Sequence, residues 1–206
     1  MRSILAGVVL IFVGLSLPVC GEEKLATPPG AARYEAFFTK GKWEGMAGGA
    51  GFFSPVIATG GRPHLNYAVA VGQVGRMLTE PRSHGWWRGN FEAVGEVFGG
   101  EIYEGHGSYV TGLTVWGRYN VVPSLWRVAP YAQVGMGLGF ADKDRNVFGT
   151  RFGFNLEAGV GARCFLTPRL ALQAEYRFQH ISNANTAPHN LGINAHGPMV
   201  GLAWAF

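Results

Sequence analysis

Charge is what this sequence has least of. Asp, Glu, Lys and Arg make up 15% of its 206 residues, against about 25% in an average soluble domain. Cysteine is nearly absent, with Cys20 and Cys164 the only two. Beyond residue 20 no apolar run approaches the ~20 residues that a membrane-spanning helix needs. Each shortage excludes something. A disordered chain needs high charge and few aromatics, whereas 13% of this one is aromatic. A helical membrane bundle has no segments to build from. A disulfide scaffold fails because Cys164 is left alone once Cys20 is removed or lipidated. Cys-x-x-Cys, His-Glu-x-x-His and Gly-x-Ser-x-Gly are missing as well, which removes familiar redox, zinc and hydrolase signatures. Of the six histidines, only His189 and His196 lie near His180 in sequence, so no metal or other cofactor is expected. The net charge of +4 comes without a basic cluster interleaved with aromatics. Its cations are therefore expected at anionic lipid headgroups, not on nucleic acid.

Glycine, by contrast, is abundant at 32 residues, roughly double its usual share of about 7%. A chain that is apolar and Gly-rich without long apolar runs points to an all-β fold. Residues 1–21 read as a secretory signal peptide. Arg2 precedes an apolar stretch from Ile4 to Leu17, and the small Val19 and Gly21 stand before the charged Glu22-Glu23-Lys24. Leu17-Pro18-Val19-Cys20 can alternatively be read as a lipoprotein box with Cys20 lipidated. Residues 22–41, with Pro28-Pro29-Gly30, are expected to form an irregular lead-in, and residues 42–206 a single β domain.

Within that domain, eight segments are separated by turn formers: 42–53, 65–78, 86–98, 108–120, 126–140, 151–165, 169–182 and 194–206. Most alternate in polarity, as strands with two unlike faces do. Leu170, Leu172, Ala174, Tyr176 and Phe178 share one face, opposite Gln173, Glu175, Arg177 and Gln179. The first two segments alternate less cleanly. A soluble sandwich and a lipid-facing barrel both produce this pattern. Three features favour an eight-stranded antiparallel outer-membrane β-barrel. The polar faces hold mixed-sign charge and many glycines, including Gly135, Gly137 and Gly139, as a narrow lumen requires. Trp43, Trp86, Trp87, Trp126 and Trp204 fall near strand ends, as in aromatic girdles at the two membrane interfaces. The signal peptide and the terminal aromatic Phe206 suit export to the outer membrane of a Gram-negative bacterium.

One constellation breaks the apolar pattern. His180 and Ser182 share parity with Leu172, Tyr176 and Phe178, which places both on the lipid-facing side. Two residues apart on one strand face is about 7 Å between Cα atoms, within hydrogen-bonding reach of the side chains. A Ser–His pair is the core of nucleophilic acyl transfer. The same residues fit a strand that has merely reached the headgroup region.

The stretch His180-Ile181-Ser182-Asn183-Ala184, with Asn190-Leu191-Gly192-Ile193-Asn194 after it, resembles the PagL lipid A deacylases. The resemblance implies an eight-stranded outer-membrane barrel that hydrolyses the acyl ester at the 3-position of lipid A in the outer leaflet. By matched position Ser182 would be the nucleophile, His180 its general base and Asn183 part of the oxyanion hole. The family's Glu twelve residues after the Ser is Asn194 here, a departure that removes a carboxylate. The resemblance implies no metal or organic cofactor, and it leaves a homodimer open. A non-catalytic structural or adhesion-type barrel, acting through loops such as 99–107 and 141–146, is the alternative.

Overall fold

Two-residue periodicity carries the chain around a closed barrel, broken by register shifts at Asn66/Tyr67 and Phe165/Thr167. The computed structural model describes residues 34–54, 64–82, 87–122, 127–142 and 149–206. The segment read as a signal peptide, with Cys20, lies outside them, as do Trp86 and Trp126. Eight strands follow in order: β1 (Trp43–Phe52), β2 (Asn66–Met77), β3 (Gly89–Glu104), β4 (Tyr109–Val121), β5 (Val128–Ala141), β6 (Phe152–Thr167), β7 (Leu170–Ser182) and β8 (Ile193–Ala205). Each pairs antiparallel with its chain neighbour, and β1 closes on β8 from Glu44↔Ala205 to Ala50↔Met199. Strands β6 and β7 join through Pro168 and Arg169, where the Thr167 hydroxyl accepts from the amides of Arg169 and Leu170.

Alternation holds in β1 and β2 as well. Their outer positions are small, including Ala47, Gly49, Ala68 and Ala70, and for that reason hydropathy alone hides the pattern there. Strand β3 runs six residues beyond the expected 98, through Gly99 and Gly100 to Glu104, and the following turn is correspondingly shorter than expected. The glycines do not end the strand. A Cβ on Gly100 would lie 1.9 Å from the Ala68 carbonyl, so the residue marks a close approach of two strands.

The lumen is layered. Near the open ends of β1, β7 and β8, Phe52, Tyr67, Phe98, Ile181 and Ile193 form an apolar cap. Below it comes a polar network. Arg118 and Arg163 pair with Glu44 and Glu92, and Arg177 pairs with Glu96, Glu175 and Glu157. Gln133 joins the two groups, accepting from Arg118 at 2.7 Å and donating to Glu175 at 2.8 Å. Trp116 is buried in the lumen beneath the Arg177 guanidinium, and Gly135 leaves the space its ring occupies. At the end where β1 begins and β8 finishes, the terminus end, a 3-10 turn at Ala36–Phe38 inserts Phe37 and Phe38 against Phe165 and the Arg163 guanidinium. The Glu35 carboxylate grips Arg88 at 3.0 and 3.1 Å, and Asn90 donates to the Phe38 carbonyl. The lead-in is therefore not irregular throughout, because residues 34–38 plug the barrel.

The outer wall carries Leu113, Val115, Val134, Met136, Leu156, Val160, Val200 and Leu202, all exposed. Among the described tryptophans, Trp43, Trp87 and Trp204 all sit at the terminus end. The opposite end is marked instead by Phe53, Tyr103, Tyr109, Phe140 and Phe152. Among the described residues, aromatic side chains therefore mark both ends, tryptophan at one and phenylalanine and tyrosine at the other.

Candidate active site

The site lies on the outer wall where β7 ends and β8 begins, at the barrel end opposite the termini. Register brings its members together. His180 stands directly across from Asn194, and Ile181 across from Ile193. Ile181 and Ile193 point into the apolar cap, which forces His180, Ser182 and Asn194 outward. His180, Ser182 and Asn194 are each half-buried, while Phe178 one step away is exposed.

His180 Nδ1 lies 2.6 Å from Asn194 Oδ1. An amide oxygen only accepts, so Nδ1 carries the hydrogen and Nε2 of the neutral ring presents its lone pair. That is the tautomer a general base needs. On the other flank, Ser182 faces Phe154 and His180 faces Leu156 across the β6–β7 pairing. Phe154 continues edge-to-face into Phe152 and Phe140 at centroid spacings of 5.4 Å. The polar pair thus sits between an aromatic wall on β5–β6 and a more polar strip on β8.

The loop 183–192 shapes this corner. Asn183–Thr186 is a tight turn closed by Thr186 N–H to the Asn183 carbonyl at 3.0 Å. Ala184 and Asn185 both have positive φ, at 49° and 61°, as a type I′ turn requires. For Ala184 that is an unfavourable backbone region. Asn190 braces the turn, its side-chain oxygen accepting from the Asn183 amide at 2.9 Å. Gly192, at φ 63°, folds against the site: a Cβ there would stand 3.1 Å from His180 Cε1 and 3.5 Å from Ser182 Cβ. Only a residue without a side chain lets the loop close over the imidazole edge.

Asn183 is buried, with 1% of its surface exposed. Its Oδ1 accepts from Asn185 N–H at 2.8 Å, and its Nδ2 reaches the carbonyls of Ala187 and His189, both at 3.4 Å. It organises the loop directly beneath Ser182. Glu157 and Glu175 project into the lumen and do not approach His180. Cys164 is free and exposed on β6. Among the described residues no three His, Cys, Asp or Glu side chains gather as metal ligands.

Sequence reasoning placed His180 and Ser182 on one face and reached Asn194 through the resemblance; the register puts all three in one corner. It passed over the bracing by Asn190 and the close packing of Gly192. It also passed over a second polar pair, Tyr176 and His196, whose shared outward parity with Asn194 was the available signal.

Fold and neighbours together define the class, an eight-stranded outer-membrane β-barrel. Similar solved structures are Neisserial surface protein A (TM-score 0.58, 15% identity, covering 80% of this chain and 97% of that one) and the outer membrane enzyme PagL (TM-score 0.56, 12% identity, 76% and 97%). The N-terminal barrel domain of Pseudomonas aeruginosa OprF is similar at TM-score 0.50 and 13% identity, covering 81% and 98%. Identities this low speak to fold alone. No curated protein matches the chain by sequence. A family model, lipid A 3-O-deacylase (PagL), matches residues 69–203, and the chain belongs to that family.

Proposed function

We propose that this protein is an outer-membrane esterase that removes the 3-O-linked acyl chain of lipid A, with Ser182 as nucleophile and His180 as base. The observation that carries this reading is the 2.6 Å His180–Asn194 hydrogen bond beside Ser182 on the outer wall. Family membership supplies the substrate class. The end bearing the site faces the cell exterior in this reading, because barrel termini and short turns lie on the periplasmic side. There the ester of an outer-leaflet lipid reaches the depth of the β7–β8 corner. The chain is exported by the cleavable segment at residues 1–21.

In the first step Ser182 Oγ attacks the ester carbonyl and passes its proton to His180 Nε2. Collapse of the tetrahedral intermediate breaks the bond to the sugar oxygen, which leaves as an alcohol with that proton. Water then repeats the sequence on the acyl-enzyme, releasing the fatty acid and restoring Ser182. Asn194 holds the imidazole in its working tautomer, although it supplies no charge to the imidazolium. Asn183 serves the oxyanion by exchanging loop carbonyls 3.4 Å away for the developing charge. A charge-assisted bond is stronger than contacts of that length.

Mass spectrometry of lipid A from a host whose lipid A is 3-O-acylated tests this directly. Expression of the parent removes one acyl chain, and Ser182→Ala, folded and inserted, removes none. Intact lipid A with a folded parent would instead leave a non-catalytic structural or adhesion-type barrel.

A further inference from the structure

Charge is divided unevenly between the two ends of the barrel. Among the described residues at the terminus end, Lys40, Lys42, Arg76, Arg82, Arg127 and Arg169 are all exposed, against one exposed acidic side chain, Glu80. Glu35 and Arg88 cancel each other in the plug. Arg76 lies 5.3 Å from the centroid of the Trp43 ring, but among the described residues none of the six cations has a carboxylate partner. The opposite end differs. There the described Glu101, Glu104 and Asp142 outnumber Arg151, which Asp142 holds at 3.2 Å.

Two of the six cations converge. The Lys42 carbonyl accepts from Met77 N–H at 3.0 Å, and the Arg169 carbonyl accepts from Ala205 N–H at 2.9 Å. Both backbones are thus anchored to neighbouring strands. Their side chains border one cavity of about 220 Å³ at the foot of β1 and β8, which Phe37 of the plug and Phe206 also line. The outer wall next to it is apolar. Trp204 lies against Gly45, where a Cβ would stand 2.6 Å from the ring, and Leu202 and Val200 follow on the same face of β8, both exposed. A cationic recess, then an aromatic band, then an apolar wall is the layered order of a membrane interface.

We propose that Lys42 and Arg169 bind the phosphate of an anionic glycerophospholipid from the periplasm-facing leaflet, with its acyl chains along Trp204, Leu202 and Val200. Barrel termini lie on the periplasmic side, so this leaflet is not the one in which Ser182 would work. The site is separate from the β7–β8 corner and does not depend on the esterase reading. Charge and shape each select the ligand. The guanidinium fork of Arg169 matches two phosphate oxygens, and Lys42 adds a point charge. A zwitterionic headgroup brings its own ammonium, which an uncompensated cationic rim repels, whereas a net anion gains from every cation nearby. The apolar wall selects a lipid over a soluble anion, because only a lipid has chains to lay against it.

Native mass spectrometry of the purified full-length barrel, released from detergent micelles, tests this with phosphatidylglycerol and phosphatidylcholine of identical chains. The parent is expected to bind one phosphatidylglycerol at least about tenfold more tightly than phosphatidylcholine. Lys42→Gln combined with Arg169→Gln brings that ratio close to one. Arg82→Gln combined with Arg127→Gln removes as much charge elsewhere on the same rim and keeps most of the parent's ratio. A circular dichroism melt matching the parent's shows that each variant is folded. If the first double variant does not fold, its two single substitutions decide, each lowering the ratio about threefold. Equal binding of the two lipids by the parent, or a ratio unmoved by the Lys42 and Arg169 substitutions, overturns the proposal. An equal loss in both double variants also overturns it, since the rim would then attract anions without a site. Displacement of phosphatidylglycerol by inorganic phosphate at equal concentration would show a free-anion site and overturn the lipid as occupant.

Discussion

Strand β7 carries two kinds of polar residue back to back. Arg177 faces the lumen, fully enclosed, bonded to Glu96 at 2.9 and 2.8 Å and to Glu175 at 2.7 Å. Three residues on, His180 faces outward and, among the described residues, has a single side-chain partner, Asn194. Both polar sets reside where burial or lipid penalises them, yet they are wired differently. The lumen groups share partners across five or more strands, so each bond supports the others. The outer groups are paired once and keep a lone pair or a donor in reserve. Shared partners rigidify the lumen even though single atoms such as Glu44 Oε2, Glu92 Oε1 and Glu157 Oε2 go unbonded there, whereas the outer pair is held by one bond alone.

The comparison breaks hardest at Arg177. Arg177→Ala leaves Glu96, Glu157 and Glu175 without their cation and is expected to cost about 3–5 kcal/mol. Urea unfolding of the barrel in lipid vesicles measures it, and a loss below about 1 kcal/mol would mean that the network is not what holds the wall. On the other face, Asn194→Ala is expected to lower kcat about a hundredfold, close to 2.7 kcal/mol, with no shift in the unfolding midpoint. The reverse change sharpens the point. Asn194→Asp places a carboxylate at the same 2.6 Å position and should raise kcat about tenfold by stabilising the imidazolium. An unchanged rate would show that His180 gains nothing from charge. Gly192→Ala presses a methyl to 3.1 Å from His180 Cε1. It is expected to lower kcat/KM about tenfold while the barrel still folds, read by hydrolysis alongside a far-ultraviolet circular dichroism melt. The smallest effect belongs to Ala184→Gly, which relieves the φ of 49° and is expected to stabilise by about 0.5 kcal/mol in the same urea titration.

The split between legible and hidden features follows the physics of each. Parity along β7 was readable because side chains alternate along that whole strand, and it placed His180 and Ser182 outward. The same rule stumbled on β1 and β2, whose outer residues are too small to register as apolar. It also stopped β3 at Gly99, where glycine marks strand contact and not a turn. Trp116 fills the lumen because Gly135 yields space on the neighbouring strand, a fit between two strands that no periodicity within one of them reveals. Asn183 was assigned by resemblance to the oxyanion hole, whereas its many loop contacts are visible only in three dimensions.

By itself, then, the sequence determined that this is an eight-stranded barrel with a Ser–His motif on its lipid face. Those properties depend on period, composition and spacing, which are local. Tertiary structure alone decided that Asn194 meets His180 at 2.6 Å, that Gly192 closes over the imidazole, and that Tyr176 reaches His196. Each depends on the register between β7 and β8. Register is set by the fit of Ile181 and Ile193 into the capped lumen and by a loop closed through Asn183 and Asn190. A slip of one residue would turn Asn194 inward and dissolve the site.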